Sequence, residues 1–118
     1  MEKTITIGEK KYKQKACAKN LIIYRDQFNE DMMKAVGMMQ GSGVNGVILI
    51  DRLDGLRLMR LVWTMQKTAE PETPDFDTWV EGIDEFPVVD VYTDIIDLLT
   101  KNVTGISEVK NANAAAEA

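Results

Sequence analysis

The sequence predicts an α+β fold in which an N-terminal β-hairpin packs on a bundle of about four α-helices. Three observations predict it. Residues 3–15 alternate apolar and polar side chains around Gly8-Glu9-Lys10, the period of half-buried strands. From Leu21 onward the apolar period becomes that of helices. A length of 118 residues, 45% apolar and 28% charged, suits one modest globular domain with a real core.

The first strand of the hairpin presents Ile5 and Ile7, which pair with Tyr12 and its neighbours across the turn. A two-stranded ribbon is only marginally stable alone and must lie on something. The next segment, "AKNLIIYRDQFNEDMMKAVG", supplies a helix with Leu21, Tyr24 and Phe28 on its core side and Arg25 beside them. Asn29 tolerates the left-handed conformation and is the expected stop. "DMMKAV" offers a further helical turn. Residues 37–46 carry four glycines with Ser42 and Asn45, the composition of a connector. "VILI" at 47–50 is β-branched enough for a short strand but runs into a helical pattern, and is read as that helix's first turn.

"DRLDGLRLMRLVWTMQKTAE" is the strongest helix. Asp51 is its expected N-cap, with Asp54 favourable in the first turn. Leu53, Leu56, Met59 and Trp63 form an apolar stripe that Leu58, Leu61, Val62 and Met65 widen, leaving Arg57, Arg60, Thr64 and Lys67 as a narrow polar one. A helix so broadly apolar is central to a core or half of an interface. Pro71 and Pro74 stop it. "PDFDTWVEGID" then places Phe76, Trp79, Val80 and Ile83 on one face behind an Asp75 cap. Pro87 opens a last helix with core positions Val88, Val91, Tyr92, Ile95, Leu98 and Leu99, and Gly105 marks its end. The expected domain is 1–105, followed by a mobile Ala-rich tail over 106–118.

Composition narrows the chemistry. There is no histidine, and the single Cys17 cannot form an internal disulfide, so zinc, haem and triad chemistries lose their commonest ligand or base. No apolar run is long enough to span a bilayer and the N-terminus has no signal-like stretch, so the expected compartment is the cytoplasm. Net charge is −5 and strongly polarised. Residues 1–19 hold six lysines against two glutamates, and residues 69–100 hold ten acidic side chains and no basic one. Such an acidic block repels a phosphate backbone and favours a basic protein surface, inside this chain or on another.

Four constellations suggest sites. "GSGVNG" at 41–46 fits G-x-G-x-x-G letter for letter, but a dinucleotide fingerprint needs a strand before it and a helix opening inside it. No Lys-Ser or Lys-Thr follows, which also excludes a Walker loop. "EPETPDFD" lacks calcium-loop spacing, and Asp90, Asp94 and Asp97 fall on the face opposite Val91 and Ile95, directed to solvent. Trp63 and Trp79 lie in apolar stripes, where core packing is the commoner use. Met32, Met33, Met38 and Met39 flank the glycine segment and suit either a core or an adaptable docking surface. Cys17 has no activating partner and reads as an inert thiol. No catalytic residue, cofactor site or metal site is expected, and the chain reads as a binding protein rather than an enzyme.

The order of "EKTITIGEKKYKQKA", "LIIYRDQFNEDMMK", "LRLMRLVWTMQKTAEPETPDFDTWVEGID" and "VVDVYTDIIDLLTKN" resembles the tail assembly chaperones of long-tailed, siphovirus-type phages and prophages of Gram-positive bacteria. The resemblance covers about residues 2–105. It rests on element order, a Tyr-Arg-Phe helix and the "DFDTWVEGI" box. Two positions depart from it: a cysteine precedes the first helix, where a hydroxyl or small cap is common, and Asn29 stands where glycine is common.

The resemblance implies a small, mostly helical protein that binds the tape measure protein. It keeps that long helical client soluble until the major tail protein polymerises around it in the host cytoplasm, and is absent from the mature virion. It allows contact with the major tail protein and self-association, and implies no nucleic acid or membrane partner. It also implies a longer frameshifted form that diverges in the Ala-rich tail. A helical client calls for an apolar groove with a charged rim. Leu58, Met59, Leu61, Val62 and Met65 are the expected groove, with Leu58→Asp or Met65→Asp weakening client binding and Trp63→Ala lowering stability. The alternatives are a permanent minor tail or connector component and a nucleotide-using enzyme.

Overall fold

The structure, a computed structural model, describes residues 2–39, 43–44, 47–48, 54–99 and 101–102. Strands β1 (Glu2–Ile7) and β2 (Lys10–Lys15) form the expected hairpin, with Ile5 opposite Tyr12. Gly8 supplies a φ of +64° at the first position of its two-residue turn, where a II′ turn requires positive φ. Ile5, Ile7, Tyr12 and Gln14 are buried on one face, while Thr4, Thr6, Lys11 and Lys13 are exposed on the other.

Helix α1 (Lys19–Phe28) ends as expected at Asn29, whose φ of 51° is left-handed and whose N–H donates to the Arg25 carbonyl at 2.9 Å. Its most buried side chains are Tyr24 and Asn20; Leu21, Ile23 and Phe28 pack partly buried around them. Asp31 accepts from the Met33 N–H at 3.0 Å and starts α2 (Met32–Met39), so "DMMKAV" belongs to a helix of its own. Met32 is buried and Met33 is 39% exposed. The side chains of Met38 and Met39 lie outside the described residues.

The region of 41–50 departs from expectation. Gly43–Val44 (β3) pairs antiparallel with Val47–Ile48 (β4), Val44 opposite Val47, so the start of "VILI" is a strand rather than a helical turn. The physical reason is in the letters: Asn45-Gly46 between two valines is the strongest short-range signal for a two-residue hairpin connection. Residues 41–42, 45–46 and 49–50 lie outside the described residues. A helix precedes the glycine motif and its third residue lies in a hairpin strand, the reverse of the order a nucleotide fingerprint needs.

Helix α3 (Gly55–Ala69) begins at Asp54, whose Oδ1 accepts from the Arg57 N–H at 3.1 Å. Asp54 is therefore the cap in place of Asp51, which with Leu53 lies outside the described residues. Helix α4 (Phe76–Glu81) is capped by Asp75, as expected, with the Thr78 N–H donating at 3.0 Å. Helix α5 (Val88–Leu99) starts immediately after Pro87, whose carbonyl accepts from Val91 N–H. It buries Val91, Tyr92, Ile95, Leu98 and Leu99, with Val88 partly buried. Residues 103–118, including Gly105 and the Ala-rich tail, lie outside the described residues.

Helix α3 is the hub. It packs against β2, α1, α5 and α4. Five successive residues, Leu61 to Met65, are buried, more than a full turn, so α3 is enclosed on every side there. A chain of ring contacts ties the layers together: Tyr12 to Trp79 (5.9 Å between centroids), Trp79 to Phe76 (6.1 Å), Phe76 to Phe28 (4.9 Å), and Phe28 to both Trp63 (5.6 Å) and Tyr24 (4.9 Å). Both tryptophans are core, as expected. Their indole N–H groups are satisfied by the Pro74 carbonyl at 2.9 Å and Gln66 Oε1 at 2.8 Å. Among the described residues no helix is long and apolar enough to cross a membrane.

Candidate functional site

Of the five expected groove residues, Leu58, Leu61, Val62 and Met65 are fully buried and Met59 is only partly buried against the core. This corrects the expectation of an open apolar face. An apolar stripe has to be covered, and here the hairpin, α1, α4 and α5 already cover it. Leu56, expected in the stripe, is 51% exposed, and Thr64, expected in the polar stripe, is fully buried, with its hydroxyl donating to the Arg60 carbonyl at 2.7 Å.

An apolar-floored groove does exist, one layer out. Lys19, Ile23, Asp26 and Gln27 of α1 face Trp63 and Lys67 of α3 and Pro71 of the following loop, around a space of about 370 Å³. Ile23, Trp63 and Pro71 supply apolar surface; Lys19, Asp26 and Lys67 supply charge of both signs. The far wall is fixed, because Lys67 Nζ donates to the Pro71 and Thr73 carbonyls, both at 2.7 Å. Ile22, 63% exposed, is the most exposed of the large hydrophobic side chains described. Helical spacing puts it beside Lys19 and Asp26.

A second cavity of about 360 Å³ lies between the β1–β2 turn and the α4–α5 connection, lined by residues that include Ile7, Lys10, Tyr12, Gly82 and Asp84. Lys10 Nζ spans it to the Gly82 carbonyl at 3.1 Å, and Lys3 Nζ reaches the Asp94 carbonyl at 2.7 Å. Two hairpin lysines thus reach main-chain carbonyls of the acidic segment. Along α5, Asp90 and Asp97 are exposed and Asp94 is half-buried, and Asp97 pairs with Lys101 at 3.0 Å.

The most perturbed charges join α1 to α3. Arg57 donates to both oxygens of Glu30, the shortest contact being 2.7 Å, and to Asp54 Oδ2 at 2.7 Å. The Tyr24 hydroxyl donates to Glu30 Oε1 at 2.8 Å. These bonds, chiefly from Arg57, hold the Glu30 carboxyl down at about 2. Burial pushes the Tyr24 phenol well up, and the Glu30 charge adds to the effect. At Asp54 burial pushes upward, but the Arg57 backbone and guanidinium outweigh it and keep the carboxyl low. Arg60 lies 5.0 Å from the Phe28 ring centre, a cation–π contact.

This network is built for structure. Arg57 and the Tyr24 hydroxyl are matched to the Glu30 and Asp54 carboxylates, while Arg60 Nε is buried without a hydrogen-bond partner. Among the described residues no three Cys, Asp or Glu side chains converge to hold a metal ion. No family model, curated protein or solved structure matches the chain. Of the two cavities described, the α1–α3 groove is the one bordered by an exposed large apolar side chain, Ile22. Its sequence signal is the set Lys19, Ile22, Ile23 and Asp26, spaced at i, i+3, i+4 and i+7. That set was masked because Leu21, Tyr24 and Phe28 form a competing apolar face on the same ten-residue helix.

Proposed function

We propose that this chain is a tail assembly chaperone that binds the tape measure protein and keeps it soluble while the tail tube assembles. The observation that supports it most directly is the α1–α3 groove. Its apolar floor, rim of mixed charge and adjoining exposed Ile22 suit one face of an amphipathic helix, the surface that an elongated helical client repeats along its length. The agreement between the expected order of hairpin and helices and the observed one is a second support. In this reading the docking residues are Lys19, Ile22, Ile23 and Asp26, in place of the buried α3 positions. The chain acts in the cytoplasm of the bacterial host, and contact with the major tail protein comes at hand-over of the client.

The test is co-expression of tagged chain with the tape measure protein of the same genome. Soluble, co-purifying client that is lost with Ile22→Asp, at unchanged melting temperature, supports the reading. Client that is equally soluble without the chain overturns it. The second reading, a permanent minor tail or connector component, predicts the chain in purified virions, where mass spectrometry finds it. A chaperone is present in infected cells and absent from particles.

A further inference from the structure

The hairpin has two edges, and they are not equivalent. A two-residue loop closes on a hydrogen-bonded pair, here Ile7 with Lys10, so Ile5–Tyr12 and Lys3–Gln14 are also the bonded pairs of the ladder. The alternate pairs, Thr6–Lys11, Thr4–Lys13 and Glu2–Lys15, turn their backbone N–H and C=O groups outward to the two edges.

On the β2 edge two of these groups are occupied and the strand is guarded. Gln14 Nε2 donates to the Lys13 carbonyl and Asn20 Nδ2 to the Lys15 carbonyl, both at 3.0 Å. The edge residues themselves are three lysines, the side chains that commonly blunt an edge strand. On the β1 edge, Glu2, Thr4 and Thr6 are exposed, and no described hydrogen bond reaches their backbone groups. There is no proline, no bulge and no run of like charge to protect it. Threonine is a strong strand former that pairs well with threonine across strands.

We propose that the β1 edge is a docking surface for a second copy of this chain, the two β1 strands pairing antiparallel to make a four-stranded sheet. The argument for a second copy is self-complementarity. With a two-fold axis through Thr4, the outward groups of Glu2, Thr4 and Thr6 meet those of Thr6, Thr4 and Glu2 of the second copy, so each outward-facing residue finds a bonding partner. Every other antiparallel register leaves one of them over. Charge agrees with this pairing. On the exposed face Glu2 has Lys15 of its own hairpin on one side and Thr6 of the second copy on the other, so no like charges meet across the new seam, and the lysines stand on the outer strands, away from each other. The inference is independent of the tape measure reading, since it uses only the hairpin.

The test is the mass of the full-length chain by light scattering over a micromolar-to-millimolar concentration series, joined to amide hydrogen exchange. The wild-type chain is expected to move from monomer to dimer, with the Thr4 and Thr6 amides gaining protection in step. Thr4→Pro, which removes an outward N–H and no hairpin bond, and Thr4→Lys are each expected to abolish the dimer while keeping the helical circular dichroism. Lys13→Glu, on the same face but at the opposite, β2 edge, is expected to retain it. A monomer at every concentration, a dimer that survives Thr4→Lys, or Thr4 and Thr6 amides that exchange equally at all concentrations overturns the proposal. Thr4→Lys decides the matter if the proline variant does not fold.

Discussion

The Asn20 side chain donates to the Thr68 hydroxyl at 2.8 Å across 48 residues of sequence. The same amide nitrogen donates to the Lys15 carbonyl at 3.0 Å, and its oxygen accepts from the Cys17 N–H at 2.9 Å. One buried side chain thus fastens the end of β2, the start of α1 and the C-terminal turn of α3. Asn20→Leu leaves a buried carbonyl and N–H without partners and is expected to cost about 2–3 kcal/mol. Thr68→Val loses the bond from Asn20 and the one its own hydroxyl donates to the Thr64 carbonyl at 2.8 Å, and is expected to cost about 1–2 kcal/mol. Urea denaturation of both variants and their double mutant measures the coupling; strict additivity argues against a shared network.

Glu30 and Arg57 make stability depend on acid. The Glu30 carboxyl is held at about 2 against an ordinary value of 4.5. Its folded value lies below its unfolded one, so its contribution is fully present above about 4.5 and is lost as pH falls from there towards 2. The melting temperature is expected to fall through that window, and Glu30→Gln to flatten the fall. At neutral pH that substitution is expected to cost about 2 kcal/mol, between the values for exposed and buried ion pairs. An unchanged acid limb in the variant argues against the assignment.

Substitutions on α3 and α1 separate core from surface. Leu61→Asp or Met65→Asp places a charge in a fully enclosed position and is expected to cost more than about 4 kcal/mol, abolishing the fold. Ile22→Asp is expected to change stability by less than about 0.5 kcal/mol, as surface substitutions do. Thermal melts of the purified variants show the difference before any binding experiment.

Asn29 tests the backbone directly. Its φ of 51° suits asparagine or glycine, so Asn29→Gly is expected to be within about 0.5 kcal/mol of wild type. Asn29→Val is expected to lose about 1–2 kcal/mol through the clash of its branched β-carbon. Equal stabilities for the two variants disprove the left-handed conformation.

Much of the fold was legible because its elements each bury one side. The hairpin alternation, the Asp75 cap and the α5 stripe from Val91 to Leu99 all follow from a single period facing a single core. What was illegible depends on what lies on the second side. Asn20 and Gln14 are polar yet fully buried, because neighbours far along the chain supply partners, Thr68 and the Val62 carbonyl, each 48 residues away; Thr64 is buried too, with its hydroxyl satisfied inside its own helix by the Arg60 carbonyl. Conversely, nothing in the stripe of α3 distinguishes a face awaiting a client from one already covered by the rest of the molecule. That is why the expected groove at Leu58, Leu61, Val62 and Met65 became core. The strand at Val47–Ile48 is obscured for a different reason: it runs into a helical pattern that begins farther along, and only its pairing with Gly43–Val44 distinguishes it.

Helix α4 is only six residues long, too short to persist alone. It is fastened by side chains: Trp79 to Gln66 and Tyr12, and Phe76 to Phe28. Because those anchors reach the hairpin, α3 and α1, α4 behaves as a keystone. Its amides and those of β2 are expected to open together in hydrogen exchange, the hairpin leaving the helices only when the whole structure yields.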